Sequence, residues 1–206
     1  MYRVVAFDLD GTLLNSEIIN LKSLQKCLDI YYNISVSMEE LLELTGKSAK
    51  DIFENYGISD YKTAQERWIS GFDKIIDQIE VFDGLLDILT ELKNLGMKLA
   101  IVTSRKRHEL DKLVSYFNLG DYFDYTVSID DTKNPKPSAE PLKKLMKLAD
   151  CTNKEILFIG DSYTDIKCAE NNDTEFGLAL WGANPELKNQ CKIILETPDD
   201  VYNIVK

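Results

Sequence analysis

The chain has 206 residues, 35 acidic and 24 basic, with a formal net charge of −11, 44% hydrophobic residues, 10 glycines and 5 prolines. That balance excludes disorder and collagen-like repeats, and no apolar run approaches the ~18 residues of a membrane span. The acidic excess repels polyphosphate backbones and anionic membranes, so neither nucleic acid nor membrane is an expected partner.

A small anionic substrate remains compatible, provided that a bound metal or a few placed Lys and Arg concentrate positive charge locally. The opening MYRVVAFDLDG lacks the basic flank, long apolar stretch and cleavage site of a secretory signal, which leads to an expected cytoplasmic location. Cys27, Cys151, Cys168 and Cys191 are scattered and form no C-x-x-C pair, so buried or surface thiols are expected rather than a metal cluster or redox motif.

In chain order, Val4–Phe7 is a short β-rich apolar run that breaks at Asp8-Leu-Asp10-Gly11-Thr12, a buried strand ending in a tight turn. From Ser16 to about Ile79 the pattern is helical throughout. Ser37-Met-Glu-Glu40 reads as a capping box opening a helix that Gly46 closes, and Ser48-Ala-Lys-Asp51 opens another that Gly57 closes. A long amphipathic stretch, 60–79, follows.

Beyond Phe82-Asp83-Gly84 the elements alternate: helix 85–95, strand 98–102, helix 105–117, strand 125–129, helix 139–149, strand 156–159, helix 162–171 and strand 176–181. A short helix near 185–190, strand 192–195 and a terminal helix with Pro198 at its first helical position complete the series. Such alternation predicts an α/β fold, a doubly wound, Rossmann-like parallel sheet covered on both faces. The all-helical block 16–80 interrupts it after one strand and is therefore expected to be an inserted cap domain on a core of 1–15 and 81–206.

In open parallel sheets ligands bind beyond the carboxyl ends of the strands. Four ends carry polar residues: Asp8 and Asp10 after the first strand, Thr103-Ser104 after 98–102, Asp130, Asp131 and Lys136 after 125–129, and Gly160-Asp161-Ser162 with Asp165 after 156–159. Carboxylates gathered at one spot repel one another unless a cation lies among them, and all-oxygen ligands suit Mg²⁺. A lysine and a hydroxyl beside the metal complete a phosphate site.

These segments, D-x-D-G-T, Thr after the second strand, Lys-Pro, and G-D-S-x-x-D, together resemble the four motifs of the haloacid dehalogenase-like hydrolases. The insertion after D-G-T-L-L-N-S-E resembles the helical cap of the phosphoglycolate phosphatase and β-phosphoglucomutase branch. The resemblance implies Asp8 as a nucleophile forming an aspartyl phosphate, and Asp10 as general acid and then base. It implies Gly11, Thr12, Thr103, Ser104 and Lys136 around the phosphoryl group, with Lys136 neutralising charge on Asp8 and phosphate. Mg²⁺ would be held by Asp8, the Asp10 carbonyl and Asp161, with Asp165 in support. Lys47, Ser48 and Lys50 begin a cap helix where related enzymes place substrate-reading residues, and a solvated face fits them equally well.

The leading expectation is a Mg²⁺-dependent phosphatase acting on a small phosphorylated metabolite of the phosphoglycolate kind. A calcium loop is excluded for Asp8–Thr12 because Gly11 directly follows the second acid and a buried strand precedes the first. Dehalogenases and phosphonatases of the family lack the acid that is Asp10 here, and β-phosphoglucomutases carry a histidine where this chain has Asn20, which leaves a mutase as the second enzymatic reading. A silent phosphate-binding module is the non-catalytic alternative. His108, beside the basic run Arg105-Lys106-Arg107, reads as part of a solvated helix face, the three basic residues as a source of positive potential near the phosphate, and Trp181 as core or rim packing at a strand end.

Overall fold

The protein was analysed as a computed structural model that describes residues 2–44 and 47–206. The chain divides into two compact units, Met1–Leu14 with Val81–Lys206, and Asn15–Glu80.

The first unit holds six parallel strands: β1 (Val4–Phe7), β2 (Lys98–Val102), β3 (Tyr125–Val127), β4 (Ile156–Gly160), β5 (Glu175–Ala179) and β6 (Ile193–Leu195), in the order β3-β2-β1-β4-β5-β6. The order reverses between β1 and β4, so their carboxyl ends lie side by side at the topological switch point. Phe7 is opposite Ile101 on one side and Ile159 on the other, and the Asp8 amide continues the ladder with a 2.8 Å bond to the Ile159 carbonyl. All four β1 residues are buried, which explains their unbroken apolar run: a strand covered on both faces has no polar side to show.

Helices flank the sheet. Val4, Ala6, Ala100, Val102, Ile156 and Phe158 share one face with Leu142 and Leu145 of α7 (Glu140–Ala149) and Cys168 and Ala169 of α8 (Tyr163–Glu170). Alternate residues point the other way, where the Phe7 ring meets Phe123 edge-on at 6.3 Å. Helix α5 (Leu85–Asn94) packs on β2 and on α9 (Asp199–Val205).

Several boundaries differ from the sequence expectation. The strand predicted over 125–129 ends at Val127, because Ser128 donates through both amide and hydroxyl to Asp131 Oδ2, at 2.7 Å each, and folds Ile129–Asp131 into a 3₁₀ turn. Strand β5 stops at Ala179, so Trp181 follows the strand instead of ending it. Helix α6 spans Arg107–Tyr116, two residues later than predicted at its start, where the Lys106 amide donates to Glu109 Oε2 at 2.9 Å. Pro198 precedes α9 as its cap rather than occupying its first turn.

The second unit contains α1 (Glu17–Tyr32), α2 (Met38–Leu42), α3 (Ala49–Asn55) and α4 (Tyr61–Asp73). Ser37 and Glu40 form the reciprocal capping box, and Ser48 accepts from the Asp51 amide at 3.1 Å. Gly57 follows α3 with φ +73°, while the helix end predicted at Gly46 lies outside the described residues. The stretch 60–79 is not one helix: the Lys74 and Ile75 amides reach back only three residues, to Gly71 and Phe72, and a 3₁₀ turn at Ile76–Gln78 follows. Leu24, Leu28, Leu41 and Phe53 pack around Trp68, whose ring lies 6.0 Å from Phe53 and whose Nε1 donates to the Asn20 carbonyl at 3.0 Å. Among the described residues no helix is long and apolar enough to cross a membrane.

Candidate active site

The strand ends β1 and β4 bring Asp8, Asp161 and Asp165 together, each offering a carboxylate oxygen within 4.8 Å of the others. Asp8 extends directly from β1. Asp161 follows Gly160 at the end of β4. Asp165 is held by the capped start of α8, where its Oδ2 accepts from the Ser162 hydroxyl at 2.5 Å and the Asp165 amide returns a 3.3 Å bond to Ser162 Oγ. The helix cap and the acidic cluster are thus one construction.

Lys136 enters this cluster from the loop after β3 and is almost wholly buried, its side chain 2% exposed. Its ammonium donates to Asp165 Oδ1 at 2.6 Å and to the Val102 carbonyl at 3.2 Å, and it pairs with Asp8 Oδ1 at 2.8 Å. Burial works to discharge this lysine, but Asp165 and Asp8 outweigh burial and hold its pKa above the ordinary value. The buried Asp8 Oδ1 thus faces the Lys136 ammonium at 2.8 Å.

Burial, reinforced by the Asp165 charge, pushes the Asp8 carboxyl up to about 7 despite Lys136. Asp161 is also raised well above the carboxylate range, first by its low-dielectric surroundings and then by Asp165 and Asp8. A carboxyl raised in the fold keeps its proton at a pH where the unfolded chain has released it, so stability falls as pH rises through that window. In EDTA, the melting temperature should therefore fall between about pH 5 and pH 7, with a shallower slope for Asp8→Asn. Equal slopes for the two proteins, measured by calorimetry, would contradict this origin.

The turn after β1 explains its glycine. Gly11 has φ +76°, and a Cβ there would sit 2.2 Å from Asp161 Oδ2. The Thr12 hydroxyl donates to Asp161 Oδ1 at 2.9 Å, and the Gly11 amide bonds to the Leu14 carbonyl at 2.8 Å. From behind, the segment after β5 closes on the same turn: Trp181 Nε1 donates to the Thr12 carbonyl at 2.9 Å, and a Cβ on Gly182 would meet the Gly11 carbonyl oxygen at 1.8 Å. Nothing in the sequence reading linked Trp181 and Gly182 to this turn.

The remaining sequence-selected residues are placed as follows. Thr103 is buried at the end of β2, its hydroxyl accepting from the Arg105 amide at 3.1 Å, whereas Ser104 is exposed. The Asp10 carboxylate stands apart from the three-acid cluster and is gripped by Arg105, whose Nε and Nη2 each donate at 2.8 Å. Asp130 and Asp131 do not join the cluster; Asp130 accepts from the Arg107 amide and Asp131 pairs with the Arg107 guanidinium. Lys47 and Lys50 belong to the other unit and are exposed, Lys50 pairing with Glu54 at 3.7 Å. His108 is exposed on α6.

The family model described as haloacid dehalogenase-like hydrolase matches residues 5–179. The chain belongs to the haloacid dehalogenase-like hydrolases. Within that family it is 32% identical over 200 residues to the pyrophosphatase PpaX of Bacillus cereus strain B4264, covering 95% of this chain and 89% of the relative. A structure from Lactobacillus plantarum, provisionally named a phosphoglycolate phosphatase, superposes with a TM-score of 0.90 at 28% identity over 99% of both chains. A haloacid dehalogenase-like family hydrolase from Streptococcus pneumoniae shares the fold at a TM-score of 0.87 and 19% identity, covering 100% of this chain and 99% of its own. The hydrolase family is the one the four motifs resemble, and the parallel α/β core is the one the alternation of strands and helices predicted.

Proposed function

We propose that this hydrolase is a Mg²⁺-dependent phosphatase that cleaves a small phosphorylated metabolite, a phosphoglycolate-like monoester or pyrophosphate, through an aspartyl phosphate on Asp8. The observation that carries the reading is the buried Asp8 carboxylate at the switch point, with Lys136 Nζ 2.8 Å away and Asp161 and Asp165 beside it. The donor set fits a hard divalent cation: three oxygen-donor carboxylates lie in close quarters, and two of them resist ionisation. Asp8 and Asp161, with the Asp10 carbonyl and with Asp165 in support, would hold Mg²⁺, which would neutralise phosphoryl charge when bound.

The chain's own groups account for the rest. A carboxylate is a weak nucleophile toward an anionic phosphoryl group, so Lys136, held charged by its two acids, lowers the repulsion that Asp8 must overcome. Thr103 and the turn after it hold phosphoryl oxygens, with Gly11 and Thr12 supplying the opposite wall. Asp8 forms the new bond to phosphorus as the bond to the leaving oxygen breaks, and protonated Asp10 gives that oxygen its proton. Water then attacks the aspartyl phosphate and yields its proton to Asp10, which releases phosphate and restores Asp8. Lys47, on the Asn15–Glu80 unit proposed to serve as a cap domain, contributes to substrate choice.

The test is a panel of phosphorylated metabolites offered to purified protein in Mg²⁺ and in EDTA. Turnover of one or a few small phosphate esters or pyrophosphate in Mg²⁺, lost in EDTA, is expected, with Lys47→Ala changing their ranking. Absence of turnover on every member would overturn the phosphatase reading, and undiminished rates in EDTA would overturn its metal dependence.

A further inference from the structure

We propose that Arg105 selects substrates whose leaving group carries its own anion, a second phosphoryl or a carboxylate, by exchanging its grip on Asp10 for that anion. The proposal rests on the phosphatase reading above and names the class of substrate for the same site.

Arg105 and Asp10 form a fork-to-fork pair, two parallel 2.8 Å bonds between Nε and Nη2 and the two carboxylate oxygens. That planar geometry suits a substrate carboxylate or phosphoryl group as well as it suits Asp10. The pair also has access to solvent, with the Arg105 side chain 15% exposed and that of Asp10 31% exposed. Lys136 lies deeper, 2% exposed and committed to Asp8, Asp165 and the Val102 carbonyl. Arg107 is occupied by Thr126 and Asp131.

Position adds to this. The Arg105 amide donates to Thr103 Oγ1 at 3.1 Å, so the guanidinium stems from the same tight turn as the hydroxyl assigned to the phosphoryl oxygens. An anion attached to the leaving oxygen would compete with Asp10 for the fork. Its capture would draw Arg105 off the acid that must then serve the leaving group. A neutral leaving group cannot compete in this way.

The experiment compares inorganic pyrophosphate with p-nitrophenyl phosphate, and separately measures pyrophosphate and orthophosphate binding by calorimetry in the Asp8→Asn background, all in Mg²⁺. Arg105→Ala should lower the ratio of kcat/KM values, pyrophosphate over p-nitrophenyl phosphate, by about tenfold to a hundredfold, chiefly through KM, as loss of charge-assisted hydrogen bonds predicts. It should narrow the preference for pyrophosphate over orthophosphate in binding by a similar factor, and Arg105→Lys should restore only part, since an ammonium cannot reproduce the fork. Ratios unchanged in both assays, or equal losses for both substrates with the binding preference intact, would overturn the proposal and leave Arg105 as a clamp on Asp10. Should the unsubstituted protein turn over neither compound, the metabolite panel above decides the phosphatase reading, while the binding comparison still decides the role of Arg105.

Discussion

Asp8→Asn should reduce turnover to background, a loss of roughly 10⁴-fold or more, as removal of a covalent nucleophile does elsewhere. The substitution keeps the shape of the side chain and can turn its carbonyl oxygen toward Lys136. It removes a negative charge from a place where burial and Asp165 already oppose ionisation. The fold should accordingly persist in the absence of divalent cations, with a melting temperature equal to or above that of the unsubstituted protein. Activity and thermal stability should move in opposite directions, a pattern a simple packing defect does not produce. An appreciable fraction of activity retained by Asp8→Asn would show that Asp8 is not the attacking group.

Lys136→Ala should cost on the order of 10²-fold or more in kcat/KM, the scale of losing a preorganised charge at a reacting centre. It should also destabilise the protein, because Asp8 and Asp165 would be left facing each other without their shared cation. Breaking a buried ion pair from one side costs about 3–5 kcal/mol, of which proton uptake by the stranded acids would recover part. The two effects can be separated. Lys136→Met with Asp165→Asn removes one charge of each sign and should regain much of the stability while remaining inactive. Recovery of activity in that double variant would show that Lys136 serves the fold alone; near-normal activity in Lys136→Ala would assign the phosphoryl charge to another cation, with Arg105 the first to examine.

The strands and their acids were legible because the requirement is local. A strand covered on both faces must be apolar, so Asp8 after Val4–Phe7 and Asp161 after Ile156–Gly160 announce themselves as functional by standing where burial is costly. The capping box at Ser162 and Asp165 was readable for the same reason, but its second use, presenting Asp165 Oδ1 to Lys136, depends on β3 and β4 being in place. Arg105 was legible only as one of the basic residues Arg105-Lys106-Arg107 that raise the potential near the phosphate, and its pairing with Asp10 was not. Only the start of α6 at Arg107 leaves Arg105 in the preceding turn, where it meets an acid 95 positions away. Strand 125–129 was overextended because Ser128 and Ile129 fit the alternation, whereas the competing bonds from Ser128 to Asp131 end the strand early. Gly182 carried no signal, since close backbone approach is a property of two segments and not of either sequence.

The strand order has a bearing on how the protein comes into being. β1 sits between β2 and β4, and its Val4 pairs with Lys98 on one side and Ile156 on the other. Thr12 and Asp161, which touch in the finished turn, are 149 positions apart. On the ribosome Asp8 therefore emerges long before its acidic neighbours exist, and a strand of four apolar residues waits with both edges open. Closing such distant pairings is entropically slow and comes late. No truncated or partly translated chain that stops short of β4 can hold the acidic cluster on which the proposed phosphoryl chemistry depends. Regain of catalysis after dilution from denaturant would time the arrival of one strand, β4, against the oldest part of the sheet.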